Sequence, residues 1–373
     1  MKKKKIAIIE LETHAFLLEQ WFSLLNEMDS IDFHFFVHQK IKEKLTLIPE
    51  SLITIVNEPN EINIYLDSYD AVIVNTLHRK FDQYQYIFNK KPVLCLIHNL
   101  NFSLLFKTKN WMNLILEKQS FLYYLKLYFI QKIAQRRKHI LKASNYGVLS
   151  ENIFQEIKSK NQSIAFKTSV ISLYYSTKKS FISSDVINIV IPGNVSSKRK
   201  DIDLVFAVLP KLTPESRLHF IFLGKPDSSS ILKKLEKLKQ ECNNNVTISY
   251  YTSYILWEEY SQVIAKSHLL LCPMRHKTSF YWVNEIYGKT KLSGSETDCI
   301  YNSKIGIFPN TYPKMNWHNL YYKNDVDLQS LLNSITFENL KLEYQKLNPF
   351  LEEYTFEKVK NELENQLLKL ATK

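Results

Sequence analysis

The feature that most constrains this chain is a repeating pattern of short apolar runs without polar alternation, each followed by a stretch of helical spacing. Residues 6–9 read Ile-Ala-Ile-Ile, after which Phe16, Leu17, Trp21, Leu24 and Leu25 recur at helical intervals. Further apolar runs occupy residues 31–37, 71–74 and 93–97, with Asp32 and His34 on the alternate face of the first. Strands that are apolar on both faces must be covered on both faces, and the helices between them supply that cover. The pattern therefore predicts parallel sheets in an α/β fold.

A long helical stretch over residues 111–142 leads to a strand at 146–149, with Ser150 placed to cap the next helix and 169–173 closing the first half. Residues 174–186, with Ser and Lys and few large apolar groups, read as a linker. The alternation resumes with strands at 186–191, 218–223, 246–250, 269–272 and 305–308 and helices at 204–212, 230–241 and 256–265. A last helix runs from near Thr355 to near Leu370. For 373 residues this organisation predicts an N-terminal Rossmann-like domain over 1–178 and a second over 185–352. The C-terminal helix, 353–373, is expected to pack back on the first domain.

The chain carries 49 Lys and Arg against 37 Asp and Glu, a net charge of +12 that suits anionic partners: nucleotide phosphates, nucleic acid or an acidic membrane face. A merely Lys-rich surface would read the same way. Cys95, Cys242, Cys272 and Cys299 show no metal-ligand spacing and are expected to be reduced and mostly buried, as in a cytosolic protein. Lys2, Lys3, Lys4 and Lys5 imitate the start of a signal peptide, but the apolar run behind them ends at Glu10. No run reaches the roughly 18 apolar residues that a spanning helix needs. The expectation is a cytoplasmic protein. P-loop, Gly-x-Gly-x-x-Gly, His-Glu-x-x-His and Gly-x-Ser-x-Gly patterns are absent, which removes the simplest grounds for an ATPase, dehydrogenase, zincin or α/β-hydrolase. His268 and His276 lack metal-spaced partners, so no metal is implied.

All six glycines lie after residue 146, so turns that bring backbone close to a phosphate belong to the second half. Two stretches there carry chemistry. In the first, a strand ends at Pro192-Gly193 and Ser196, Ser197, Lys198, Arg199 and Lys200 follow before a helix. Hydroxyls and cations at the carboxyl end of a strand can meet a diphosphate, although Asp201 could equally cap a helix after an ordinary loop. The second holds Glu285, Gly288, Lys289, Lys291, Ser293, Gly294, Ser295, Glu296 and Asp298. The Ser293-Gly294-Ser295 turn opens onto a helix whose N-terminal dipole favours an anion. Lys289 and Lys291 can reach the same phosphates, and a carboxylate beside the turn can accept ribose hydroxyls. A Ser-capped helix with a charged first turn is the plain alternative.

With these residues in view, the second half resembles the donor domain of GT-B glycosyltransferases of the "glycosyl transferases group 1" type, in which two Rossmann-like domains face each other across a cleft. The likeness covers roughly residues 187–360 by order of elements. It rests on Pro192 to Asp201, Glu285 to Gly288, Ser293 to Glu296, the strand at 305–308 and the aromatic start of the last helix at 354–359. The resemblance implies a nucleotide-sugar donor as co-substrate, with no further cofactor. It implies that Gly193, Lys198, Arg199, Lys289, Lys291, Ser293, Gly294 and Ser295 meet the diphosphate, that Glu296 accepts the ribose hydroxyls and that Glu285 faces the transferred sugar. Two departures stand out. Glu285 and Glu296 are eleven residues apart, three more than is usual in the family, and the loop after the first strand, Glu10-Leu-Glu-Thr-His14, contains no glycine.

In the first half, that loop and Ile97-His98-Asn99 both follow strands. His98 occupies the place of the family's strand-end histidine near the donor sugar. A histidine there can act as base or hydrogen-bond partner, and Glu12 and His14 can activate an acceptor hydroxyl. All three can instead be packed or solvated side chains. Residues 107–142 hold nine Lys and Arg and one acid, Glu117, around an aromatic run at 121–130. Such a helix suits an anionic membrane surface and hence a lipid-linked acceptor, or forms core with a solvated basic end. Nucleic-acid binding finds no recognition motif.

The resulting expectation is a glycosyltransferase that moves a hexose-like sugar from a nucleotide sugar to a glycan or lipid-linked hydroxyl, in polysaccharide assembly and peripheral to a membrane. The alternatives are an epimerase or hydrolase of nucleotide sugars on the same fold, or a non-catalytic polyanion- or membrane-binding protein.

Overall fold

The computed structural model describes residues 2–105, 125, 129–130, 135–177 and 184–372. Most of the basic aromatic stretch at 107–142, and with it the membrane-facing expectation, lies outside the described residues, as does part of the linker. The chain divides into two compact units. The first comprises Met1–Leu173, Ser279–Leu292 and Phe356–Lys373, and the second Tyr174–Thr278 and Ser293–Thr355. These units are not contiguous in sequence, unlike the expected division at 178, 185 and 352. Fourteen residues of the second half, Ser279–Leu292, fold into the first unit.

The first unit is built on seven strands: β1 (Lys4–Glu10), β2 (Ile31–Val37), β3 (Ile53–Ile55), β4 (Ala71–Val74), β5 (Val93–Leu96), β6 (Asn145–Val148) and β7 (Thr168–Val170). Their order is β3-β2-β1-β4-β5-β6-β7, and every pairing is parallel. Ala7, Ile9, Val72, Val74 and Cys95 face one buried cluster with Phe81, Tyr84 and Phe102. Trp21, Leu24 and Leu25 of the helix Ala15–Leu25 are also fully buried. Burial on both faces is the reason β4 and β5 carry no polar alternation, whereas β2 keeps Asp32 and His34 on a partly exposed face. The last helix, Phe356–Leu370, belongs to this unit. It buries Val359, Leu363, Leu367 and Leu370 at helical spacing, each side chain contributing about 1.5–3 kcal/mol. Gln366 also donates to the Val170 carbonyl at 3.0 Å.

The second unit holds β8 (Ile187–Pro192), β9 (Leu218–Leu223), β10 (Val246–Tyr250), β11 (Leu269–Leu271), β14 (Ile305–Pro309) and β15 (Leu320–Tyr322), in the order β10-β9-β8-β11-β14-β15, again all parallel. A two-stranded ribbon, β12 (Lys277–Phe280) with β13 (Val283–Ile286), starts at the end of Tyr174–Thr278 and lies mostly in the inserted segment of the first unit. Strand order reverses between β1 and β4 in the first sheet and between β8 and β11 in the second. In open α/β sheets such switch points are where loops diverge and leave a crevice.

The β8 turn depends on two glycines. Gly193 has φ +77°, a left-handed conformation, and Gly224, just after β9, lies directly against it. A Cβ on Gly224 would stand 2.5 Å from the Gly193 carbonyl carbon and oxygen and 2.7 Å from the Asn194 nitrogen. These are backbone atoms that cannot rotate away. Gly224→Ala is therefore expected to lower stability by about 1–3 kcal/mol in urea unfolding, and an unchanged midpoint would show that the two turns tolerate separation.

Candidate functional site

The switch point of the first unit is organised by carboxylates. Glu10, the last residue of β1, is fully buried. One of its oxygens accepts from the backbone N–H groups of Glu12 at 2.7 Å and Thr13 at 3.0 Å, and the other from the Asn75 amide at 2.6 Å and the Thr76 hydroxyl. A loop without glycine is thus held by a side chain that supplies the acceptors for its amides. Glu12 repeats the device across the switch point, accepting from the amides of His78 at 2.7 Å and Arg79 at 3.1 Å after β4. Glu285, from the inserted segment, accepts from the amides of Phe102 at 2.9 Å and Asn101 at 3.3 Å after β5.

These clamps gather three histidines. The His14 and His98 rings stack with centroids 4.2 Å apart and planes 17° from parallel, and His78 stands edge-on to both. His98 Nε2 lies 2.7 Å from the Asn75 carbonyl, which accepts only, so Nε2 carries the proton and Nδ1 the lone pair. Burial lowers His14 to about 4, helped by the Lys291 charge. Burial, then the neighbouring His14, lowers His98 to about 3, and His78 falls well below the usual range chiefly through burial. Burial raises Glu12 to about 7. At neutral pH the rings are therefore neutral hydrogen-bonding groups and weak bases. Glu12 is the group near neutrality, although its carboxylate already holds two amides.

The structure thus brings His14, His98 and Glu12 together, sets Asn99 of the Ile97-His98-Asn99 stretch 3.2 Å from His78, and adds Asn75 and His78, which the sequence reading missed. Asn75 and His78 directly follow β4, but only the strand order reveals β4 as the partner of β1. Lys291 Nζ lies 5.4 Å from the Phe280 ring centroid and lowers the histidines through its charge. Lys289 is exposed at the end of β13. Both lysines belong to the first unit rather than to the unit of the Ser293 turn. Glu285 is fully buried and engaged with its own unit's amides.

The second switch point is centred on Met274, just beyond β11. Its backbone bridges to Lys200, and its sulfur accepts from the hydroxyls of Ser293 at 3.6 Å and Ser295 at 3.9 Å. Gly193, Lys200, Met274, Ser293 and Ser295 thereby share one neighbourhood. Ser293 caps the helix Gly294–Tyr301, accepting from the Ser295 amide at 3.2 Å. A Cβ on Gly294 would meet nothing within 4 Å, which leaves open space against this helix start. Glu296 in the first turn is buried and accepts from the Tyr312 hydroxyl at 2.6 Å. Lys198 and Arg199 are exposed. Lys200, next in the run, is buried, and its amine donates to the carbonyls of Pro192, Gly193 and Asn194 at 2.5, 2.6 and 2.9 Å. Among the described residues no group of His, Cys, Asp and Glu is arranged to hold a metal ion, and the four thiols are free.

Two outcomes follow for the first unit. Because His14 and His98 are lowered from 6.5 to about 4 and 3, the unfolded chain binds more protons between those values. Their contribution to stability is complete above pH 6.5 and is lost as pH falls through 4 and 3. Glu12 and Glu285, raised from 4.5 to about 7, act in the opposite sense and cost stability as pH rises between those limits. His98→Asn should therefore flatten the gain in urea stability between pH 4 and 6.5, whereas a slope equal to wild type would mean that the ring titrates normally. Glu285→Ala leaves two buried amides without acceptors and should cost about 2–3 kcal/mol; a loss below the error of the unfolding curves would discount the clamp.

No family model matches the sequence, and no curated protein matches it. Solved structures do match in fold. A glycosyltransferase from Rickettsia africae aligns over 99% of this chain and 99% of its own at 13% identity, with a TM-score of 0.61. HepE of Anabaena, in complex with UDP and glucose, aligns over 98% and 100% at 12% identity, with a TM-score of 0.59. The UDP-GlcNAc 2-epimerase of Neisseria meningitidis, bound to UDP-GlcNAc, aligns over 98% and 100% at 13% identity, with a TM-score of 0.55. At these identities the likeness is one of fold: two Rossmann-like units of the GT-B kind.

Proposed function

We propose that this protein transfers a sugar from a nucleotide-activated donor to a hydroxyl acceptor, with the nucleotide held on the second unit. The observation that carries the reading is the second switch point. There Lys200, which holds the left-handed Gly193 turn, and the Ser293 and Ser295 hydroxyls at the open helix start all adjoin Met274, and the buried Glu296 carboxylate lies in the first turn of that helix. A helix start and cationic side chains stabilise a departing diphosphate, and Lys198 and Arg199 stand on the adjoining loop. Glu296, oriented by Tyr312, is the acceptor group for ribose hydroxyls. The stacked, neutral His14 and His98 of the first unit are suited to hydrogen-bonding a sugar or an acceptor hydroxyl. Neighbours of the same fold bound to UDP or a UDP-sugar support this assignment.

The acceptor class we favour is a glycan or a lipid-linked sugar. No helix among the described residues is long and apolar enough to cross a membrane. The epimerase neighbour makes turnover of the donor alone the competing activity.

Thermal denaturation of the purified protein against a panel of nucleoside diphosphates and their sugars tests the reading. A ligand that binds the folded state at a hundred times its Kd adds about 2.7 kcal/mol. The expected result is a rise in Tm with one diphosphonucleotide that Glu296→Ala abolishes or weakens at least tenfold, about 1.4 kcal/mol. No shift with any nucleotide would remove the proposal, and a shift that survives in Glu296→Ala would remove the ribose assignment. Conversion of the donor without acceptor to an isomeric nucleotide sugar would favour the epimerase.

A further inference from the structure

The Glu296 carboxylate is held from a third strand end of the second unit. β14 stops at Pro309, and the turn behind it is closed by the Tyr312 amide, which donates to the Pro309 carbonyl at 2.9 Å. The Asn310 amide ties the same turn to the Tyr322 carbonyl of β15 at 2.7 Å. Tyr312 is thereby delivered inward. It is buried, and its ring packs on Phe308 of β14 with centroids 4.9 Å apart and planes 35° from parallel. From there its hydroxyl donates to Oε2 of Glu296 at 2.6 Å. Burial, and after it the Glu296 charge, pushes the Tyr312 phenol well above its usual range, so it keeps its proton and remains a donor.

The helix Gly294–Tyr301 carries a second bond of the same type. Asp298, two residues beyond Glu296, accepts at Oδ2 from the Tyr260 hydroxyl at 2.8 Å. Each acid thus has its own tyrosine from a separate element. The two differ in place: Glu296 stands in the first turn, beside the open space at Gly294, and Asp298 lies deeper in the helix.

A glutamate side chain turns about three torsions, and its carboxylate must be brought into one plane before it can meet two neighbouring hydroxyls. A hydrogen bond to one oxygen fixes that plane in advance, so less freedom is lost when a ligand arrives. We propose that Tyr312 is a positioning residue that makes the nucleotide site selective for a ribonucleoside diphosphate over its 2′-deoxy form, by fixing Oε2 of Glu296 so that the carboxylate is set for the ribose hydroxyls. The inference rests on the nucleotide reading given above. Tyr312 itself does not need to touch the ligand. A buried carboxylate set for two hydroxyls is left short of a donor when one is missing, and a site built that way rejects the poorer sugar.

The test is calorimetry on the full chain with UDP and 2′-deoxy-UDP, or with the corresponding pair if the thermal panel selects another base. Wild type should prefer the ribonucleotide by about tenfold or more, the worth of one hydroxyl bond to a charged group. Tyr312→Phe keeps the packing on Phe308 and removes only the hydroxyl. It should narrow the preference to about twofold by weakening the ribonucleotide, with the 2′-deoxy form bound much as in wild type. Added to Glu296→Ala, it should weaken the ribonucleotide no further, because the phenol acts only through the carboxylate. Tyr260→Phe, which removes the corresponding bond to Asp298, should retain the wild-type preference. Equal weakening of both nucleotides in Tyr312→Phe, additive losses in the double variant, or the same narrowing in Tyr260→Phe would each overturn the positioning role and leave the nucleotide reading standing. A wild type that binds both forms alike removes the ribose assignment and this proposal with it. A wild type that binds no diphosphonucleotide sinks the nucleotide reading itself.

Discussion

The first unit depends on one recurring interaction: a carboxylate withdrawn from solvent that accepts hydrogen bonds from two successive backbone amides, as Glu19 does for Thr46 and Leu47. Glu10 holds the loop after β1, Glu12 the loop after β4 and Glu285 the loop after β5. Backbone N–H groups at strand ends must find acceptors once they leave the ladder. Where glycine would let the backbone turn back on itself or onto a ligand, this unit supplies side-chain oxygens. The second unit solves the complementary problem with the opposite charge. There the carbonyls of Pro192, Gly193 and Asn194 converge and the Lys200 amine satisfies all three.

The clamps set the electrostatics of what they surround. Glu10 and Glu12 fix the loops that carry His14 and His78, and Glu285 fixes the segment just after His98. The rings are packed against one another, and desolvation, reinforced by the Lys291 charge, keeps all three neutral. The same desolvation raises Glu12 and Glu285. The amides they hold lower both carboxyls only in part, so burial outweighs hydrogen bonding in each. The unit therefore holds neutral rings, with the His98 tautomer fixed by the Asn75 carbonyl.

Much of this was legible in the sequence because the signals are local. Apolar runs without alternation marked both sheets, and the turn residues at Gly193 and Ser293 marked the loops at the second switch point. The clustering of His14, His98 and Glu12 could be anticipated only as separate residues after separate strands. Asn75 and His78 left no signal, since nothing local distinguishes the loop after β4 from any other. Lys200 reads as one of three cations in a row. Its burial, against the exposure of Lys198 and Arg199, follows from carbonyls that converge only when the turn has folded.

The sequence by itself determined the class of fold and the parallel character of both sheets, because hydrophobic periodicity and turn chemistry act over a few residues. The tertiary structure alone decided strand order, and with it which loops sit at the switch points. It also decided the fate of Ser279–Leu292. That segment lies in the second half of the chain yet folds into the first unit, where Glu285 finds two unpaired amides and Trp282 and Val283 find an apolar cluster. Long-range complementarity of this kind leaves no periodic trace, which is why the place of Glu285 in the first unit is not legible in the sequence.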